Sequence, residues 1–184
     1  MAISPAAQKI SDAAVQHFAD KGFDAGSLNT VAEAAGIKKA TIYSHFKNKE
    51  ELFIHVFNEA ITSESAFVNE CFDSDTTCGE CYLACVSGRY QQSAYLRLLI
   101  RTAFIPPAGL QPQVAKGYEF FLAGIKSRFN DGFNHLLTTG EIALGDAYLG
   151  IIDSVHVELL YATPEAADKR RKALWQLLVS AMQQ

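Results

Sequence analysis

Residues 27–52 decide the fold: Ser27-Leu28-Asn29-Thr30-Val31-Ala32-Glu33-Ala34-Ala35-Gly36-Ile37-Lys38-Lys39-Ala40-Thr41-Ile42-Tyr43-Ser44-His45-Phe46-Lys47-Asn48-Lys49-Glu50-Glu51-Leu52. Leu28 and Val31 share one face of a short helix over about 27–34, and Ile42 and Phe46 share one face of another over about 38–46. The Ala35-Gly36-Ile37 link between them permits a sharp turn, because glycine adopts backbone conformations closed to other residues. Asn48-Lys49-Glu50-Glu51 is a helix start: Asn48 caps, and Glu51 stands at the third helical position, as in a capping box. Two short helices across a tight turn form the shape that lays its second helix in the major groove of DNA.

The same stretch carries a local charge island. From position 36 to 49 there are four lysines, Lys38, Lys39, Lys47 and Lys49, and no acid, whereas the chain as a whole has a formal net charge of −4. Neutralising phosphates supplies the sequence-independent part of DNA affinity, so such an island is what a DNA reader needs. Thr41, Tyr43, Ser44 and His45 add short polar groups suited to phosphate contact and register. The helix starts near Ser27, Lys38 and Asn48 offer backbone N–H groups to the same partner. Phe18, Leu28, Val31, Ile37, Ile42 and Phe46 read as core.

Together with Gly22-Phe23 upstream, these residues resemble the tetracycline-repressor (TetR) family of bacterial transcription regulators. The likeness covers about residues 8–56 and includes the run Tyr43-Ser44-His45-Phe46-Lys47-Asn48-Lys49-Glu50. It implies a three-helix DNA-binding domain followed by an all-helical ligand and dimer domain. Carried over by position, Ser27 caps the second helix and touches phosphate. Lys38, Lys39, Ala40 and Thr41 face the groove, and Tyr43, His45 and Lys49 hold the backbone. Ser44 and Lys47 complete the expected DNA-binding set. The family usually has Thr where Gly26 stands, Ser where Lys38 stands and Gly where Ala40 stands. The missing Ser cap at 38 predicts a weaker third helix.

Outside this region helix formers dominate, with 26 Ala and 17 Leu against 9 Val and 12 Ile in 184 residues. Helical spacing recurs and strand alternation does not, so the chain reads as all-α with about nine helices. The first opens at Ser4-Pro5, a cap followed by proline at the first helical position, and ends at Gly22. The fourth runs from Asn48 to near Cys71. Others are expected over about 77–87, 91–103, 114–138 and 146–161, with Pro106-Pro107-Ala108-Gly109 as the strongest break. Thr163-Pro164 opens the last helix as Ser4-Pro5 opens the first. We read residues 1–47 as a helix-turn-helix domain and 48–184 as a ligand-binding and dimerisation domain.

The C-terminal part is rich in aromatics. An apolar ligand pocket with a few placed polar groups is expected there, drawn from Tyr95, Arg101, Phe104, Tyr118, Phe121 and His156, with Arg97 and His135 as further polar candidates. The last two helices are apolar beyond one face, which predicts a homodimer built on both. In the last, Leu174, Leu177, Leu178 and Ala181 form the expected stripe.

All four cysteines, Cys71, Cys78, Cys81 and Cys85, fall within 15 residues. On a helix over 77–87, Cys78, Cys81 and Cys85 share a face. Three readings compete: buried thiols acting as small hydrophobes, a redox switch or thiol-redox protein using those three, and a metal site. The spacing matches no common zinc module. Neither cofactor nor metal is expected. No nucleophile–base pair or phosphate-cradling glycine loop supports an enzyme. The opening residues lack the pattern of a secretory signal and no run of 18 apolar residues exists, so a cytoplasmic location is expected, away from any membrane. The partners expected are double-stranded DNA bearing a near-palindromic operator, a second copy of the chain, and an unknown small effector.

Overall fold

In the computed structural model, the described residues are 4–74, 79–133 and 144–182. Among them are nine helices and no strand: α1 (Pro5–Ala25), α2 (Leu28–Ala34), α3 (Lys39–Tyr43), α4 (Lys49–Ser74), α5 (Glu80–Gln92), α6 (Ala94–Phe104), α7 (Gln111–Phe133), α8 (Leu144–Tyr161) and α9 (Pro164–Met182). The expected all-α architecture is the observed one. The chain forms two compact units, residues 1–63 with 93–118, and residues 64–92 with 119–184.

In the first unit, α1 starts where Ser4 accepts a hydrogen bond from the Ala7 amide at 3.2 Å. Its helical geometry breaks at Gly22, whose φ of 76° lies in the left-handed region. That break turns Phe23 back toward the core, where Phe18 and Phe23 each meet Phe53 edge to face at 5.2 and 5.0 Å. Aromatic pairs prefer this geometry, in which a ring edge meets a ring face. Ile10, Ala14, Val15, Ile42, Val56, Leu96, Leu99 and Ile100 complete the apolar interior. Gly26, where the family usually has Thr, has a physical reason: a Cβ there would stand 2.6 Å from the Phe18 ring.

In the second unit, Tyr148 is the hub. It stacks on Phe129 at 4.2 Å and meets the edges of Trp175 and Phe72. Its hydroxyl donates to the Gly79 carbonyl at 2.7 Å. Glu64 is buried and accepts two hydrogen bonds from the Arg89 guanidinium at 2.9 and 3.0 Å. A buried carboxylate needs such a bidentate cation to offset its desolvation.

Several expected boundaries move by about three residues or more; α1 runs to Ala25, α3 ends at Tyr43, α4 at Ser74, and α7 starts at Gln111. The fifth helix starts at Glu80 rather than near 77 and runs to Gln92. The sixth starts at Ala94, because Ser93 is its cap, accepting from the Leu96 amide at 3.2 Å. The last helix opens at Thr163-Pro164 as expected, with Thr163 accepting from the Ala166 amide. Its inner face, however, is Ala167, Arg171, Trp175 and Leu178, and Leu177 is 68% exposed. The expected stripe of Leu174, Leu177, Leu178 and Ala181 therefore splits across two faces. The end of the seventh helix near 138, and His135, lie outside the described residues.

Candidate nucleic-acid interface

α2 and α3 are short, so their placement depends on caps and on packing, α2 against α1 and α3 against α2. Ser27 accepts a hydrogen bond from the Asn29 amide at 3.2 Å, capping α2 as expected. Its own amide donates to Nε2 of His17 at 3.0 Å. This tie between α1 and the start of α2 was not legible in the sequence, where His17 is one polar residue beside an apolar stripe. Burial, with Lys21 and Lys49 nearby, lowers the His17 pKa, which keeps the ring neutral and able to accept.

Gly36, with φ at 68°, makes the turn into α3. Lys38 is the N-cap of α3 and contributes no side-chain cap bond, as its substitution for Ser predicts. Ile42 and Phe46 anchor the segment inward. The opposite side presents Lys38, Lys39, Ala40, Tyr43, Ser44, His45 and Lys47 to solvent, with Thr41 half-buried. Tyr43 is 51% exposed, which is unexpected for a core aromatic and expected for a surface that meets a partner. The Ser44 hydroxyl donates to the Thr41 carbonyl at 2.7 Å. A lone pair of its oxygen stays available, while its proton is engaged within the helix end.

The start of α4 is doubly fixed. Asn48 accepts from the Glu51 amide at 2.8 Å, and the Glu51 carboxylate accepts from the Lys47 amide at 2.6 Å. The reciprocal bond falls one residue earlier than in an ideal capping box. Lys49 stands over the Phe23 ring, its Nζ 4.2 Å from the centroid. That cation–π contact packs α4 against the turn after Gly22, so Lys49 has a structural task as well as a charge. Ser27 and Lys49 are half-buried, and the other basic groups of the set are exposed.

This is a helix, a tight turn and a second short helix, with Lys38, Lys39 and Lys47 exposed on it and beside its ends. Residues 10–56 match the sequence profile of bacterial regulatory proteins, tetR family. Over that segment the chain is similar to the TetR family. Among similar proteins, the fatty acid metabolism regulator protein of Bacillus subtilis is 27% identical over 128 residues, 66% of each chain. The biofilm operon icaADBC negative transcriptional regulator IcaR of Staphylococcus epidermidis is 42% identical over 45 residues, 24% of each. The alignments thus span no more than about two thirds of those relatives. The crystal structure of the transcriptional regulator FadR from Bacillus subtilis in complex with stearoyl-CoA superposes with a TM-score of 0.63 at 22% identity, over 91% of this chain and 96% of that one. Among the described residues, no helix is long and apolar enough to cross a membrane.

The expected pocket residues fall in both units. In the first, Phe104 and Tyr118 meet edge to face at 6.1 Å. Tyr95 is half-buried, and Arg101 lies against Gly22, where a Cβ would stand 2.9 Å from its Nε. In the second, Phe121 lines a cleft of about 180 Å³ with Ser65, Val68, Asn69, Phe120, Gly124 and Ile125. That volume is below the roughly 300–1,000 Å³ of small-molecule sites.

His156, also in the second unit, is fully buried, and burial depresses its pKa to about 3. A free histidine titrates near pH 6.5. Between those values the unfolded chain takes a proton that the folded one refuses. Stability is therefore full above pH 6.5 and falls as pH drops toward 3. Denaturant unfolding at pH 5 should give about 2 kcal/mol less stability than at pH 7 from this residue. Most of that difference should vanish in His156→Gln. An equal pH dependence in parent and variant would show that the ring is not held neutral.

Of the redox candidates, Cys78 lies outside the described residues. Cys81 and Cys85 are on α5, half-buried and exposed, and the third thiol beside them is Cys71, at the end of α4. Sequence spacing had set Cys71 apart. Burial and the neighbouring thiols push Cys71 up to about 12, and Cys85 is also raised, chiefly by burial. Reactive redox thiols are shifted the other way.

Proposed function

We propose that the chain is a DNA-binding transcriptional repressor, cytoplasmic and homodimeric, released from a near-palindromic operator by a small apolar or aromatic effector. The observation that carries this is the set of exposed lysines on α3 and beside its ends, in a segment that matches the TetR profile. Residues 1–47 serve DNA and 48–184 serve effector and dimer. Lys38, Lys39, Ala40 and Thr41 face the groove, the lysines adding phosphate attraction with Lys47, and Ser27, Tyr43, Ser44, His45 and Lys49 hold the backbone and set the register. IcaR, a negative regulator, supports the repressor sign. FadR with its stearoyl-CoA supports an acyl chain as the apolar effector. The role is one of binding, with no reaction catalysed.

α4 runs unbroken from Lys49, just after α3, to Ser74 and is the natural lever. An effector shifts it only through different affinities for two arrangements. A coupling of about 1–3 kcal/mol weakens operator binding roughly 5–150-fold, and operator weakens effector binding by the same factor.

The dimer is proposed on the outer faces of α8 and α9, where Val157, Tyr161 and Leu177 are large apolar residues left in solvent. Tyr161 and Leu177 are each 68% exposed, whereas Leu178, one residue on, is 7% exposed and belongs to the interior. Leu177→Glu should sediment as a folded monomer, its self-association weakened at least about 30-fold, as for an interface hot spot. Operator affinity should fall with it. Leu178→Glu should instead lower the melting temperature. A Leu177→Glu protein that remains dimeric with unchanged operator binding would overturn this interface.

A further inference from the structure

The thiols of Cys71, Cys81 and Cys85 lie within 4.8 Å of one another, sulfur to sulfur, contributed by the last turn of α4 and the first two turns of α5. We propose that these three sulfurs form a binding site for a soft, thiol-seeking divalent cation of the zinc and cadmium class.

Burial as small hydrophobes does not account for the cluster. Cys71 is buried, but Cys81 is half-buried and Cys85 is exposed. An exposed thiol gains nothing from hydrophobic burial, yet all three sulfurs converge. Cys81 and Cys85 are four residues apart on one helix face, and Cys71 reaches them from another helix. A disulfide would engage two of the three and leave the third out, whereas a cation uses them all.

The distances suit a cation after a small adjustment. With zinc–sulfur bonds of about 2.3 Å, three sulfurs around one tetrahedral ion stand about 3.8 Å apart. The cluster must therefore contract by at most about 1 Å, which rotation of the Cys81 and Cys85 side chains supplies. As the ion binds, each thiol gives its proton to solvent and its sulfur donates a lone pair to the metal, so three protons leave per divalent ion. Arg171 lies near Cys85, and its charge partly offsets the net negative charge of a three-thiolate site. The exposed side at Cys85 leaves room for a solvent molecule as a fourth ligand.

The test is a titration of the reduced full-length protein with cadmium, read by thiolate-to-metal charge-transfer absorption. We expect saturation at one ion per chain and a rise in melting temperature that metal-free protein lacks. Cys85→Ser, at an exposed position, should fold normally and weaken binding by about 100-fold or more, since even residues that merely orient a metal ligand cost 10–100-fold. Cys71→Ser should do the same, and if its fold suffers, Cys85→Ser carries the test. Absence of the charge-transfer band would overturn the proposal. So would binding that survives in Cys85→Ser but is lost in Cys78→Ser.

Discussion

Replacing Lys38, Lys39 and Lys47 together by alanine is expected to lower affinity for every duplex by about 10³-fold or more at physiological salt, operator and random DNA alike. Each ammonium stands in solvent on the side of α3 opposite Ile42 and Phe46. None of the three has a folding task comparable to that of Lys49 over Phe23. A dimer would lose up to about six phosphate contacts, making the slope of log K against log salt shallower by about 5. The fold should survive, because Lys38 caps α3 without a side-chain hydrogen bond. The melting temperature should match the parent. Anisotropy titrations at several salt concentrations check this. An unchanged slope would mean that DNA meets some other face.

The second large effect concerns stability. Tyr148→Ala should destabilise the protein by about 3–5 kcal/mol, the usual range for removing a buried aromatic ring. Tyr148 is fully buried, and it fills the space between Phe129, Trp175 and Phe72. At roughly 2–4 °C per kcal/mol for a chain of this size, the melting temperature falls by about 10 °C. Tyr148→Phe keeps the packing and loses only the bond to the Gly79 carbonyl, which also accepts from the Leu83 amide. It should cost about 1 kcal/mol. Calorimetry of the pair separates ring from hydroxyl. Equal melting of Tyr148→Ala and the parent would contradict the placement of Tyr148 at the centre of the second unit.

What was legible in the sequence is what local chemistry encodes. Ser4-Pro5 and Thr163-Pro164 announced helix starts because a capping hydroxyl and a fixed φ act within one turn. Gly22 announced a break because few other residues adopt its φ. The segment 27–52 was legible because each of its turns has its own cap, glycine or anchor. Contacts between residues far apart were not legible. The amide of Ser27 meets His17 ten residues back, Arg89 meets Glu64 across 25 residues, and Cys71 joins Cys81 and Cys85 from another helix. Periodicity says which residues share a face, but not which partner that face meets. The phase of α9 was lost for a related reason. With Leu174, Trp175, Leu177, Leu178 and Val179 apolar around the helix, no single stripe stands out, and only packing decides that Leu178 turns inward and Leu177 outward. The candidate DNA face was placed residue by residue, whereas the pocket was legible only as an aromatic-rich region.

The most direct test of the account is selection of genomic fragments by the full-length protein at moderate salt, followed by footprinting of what is retained. The account predicts one or a few fragments protected over two half-sites related by a two-fold axis, their centres about one helical turn or more apart. Retention of no fragment above random DNA, or protection without two-fold symmetry, would contradict it.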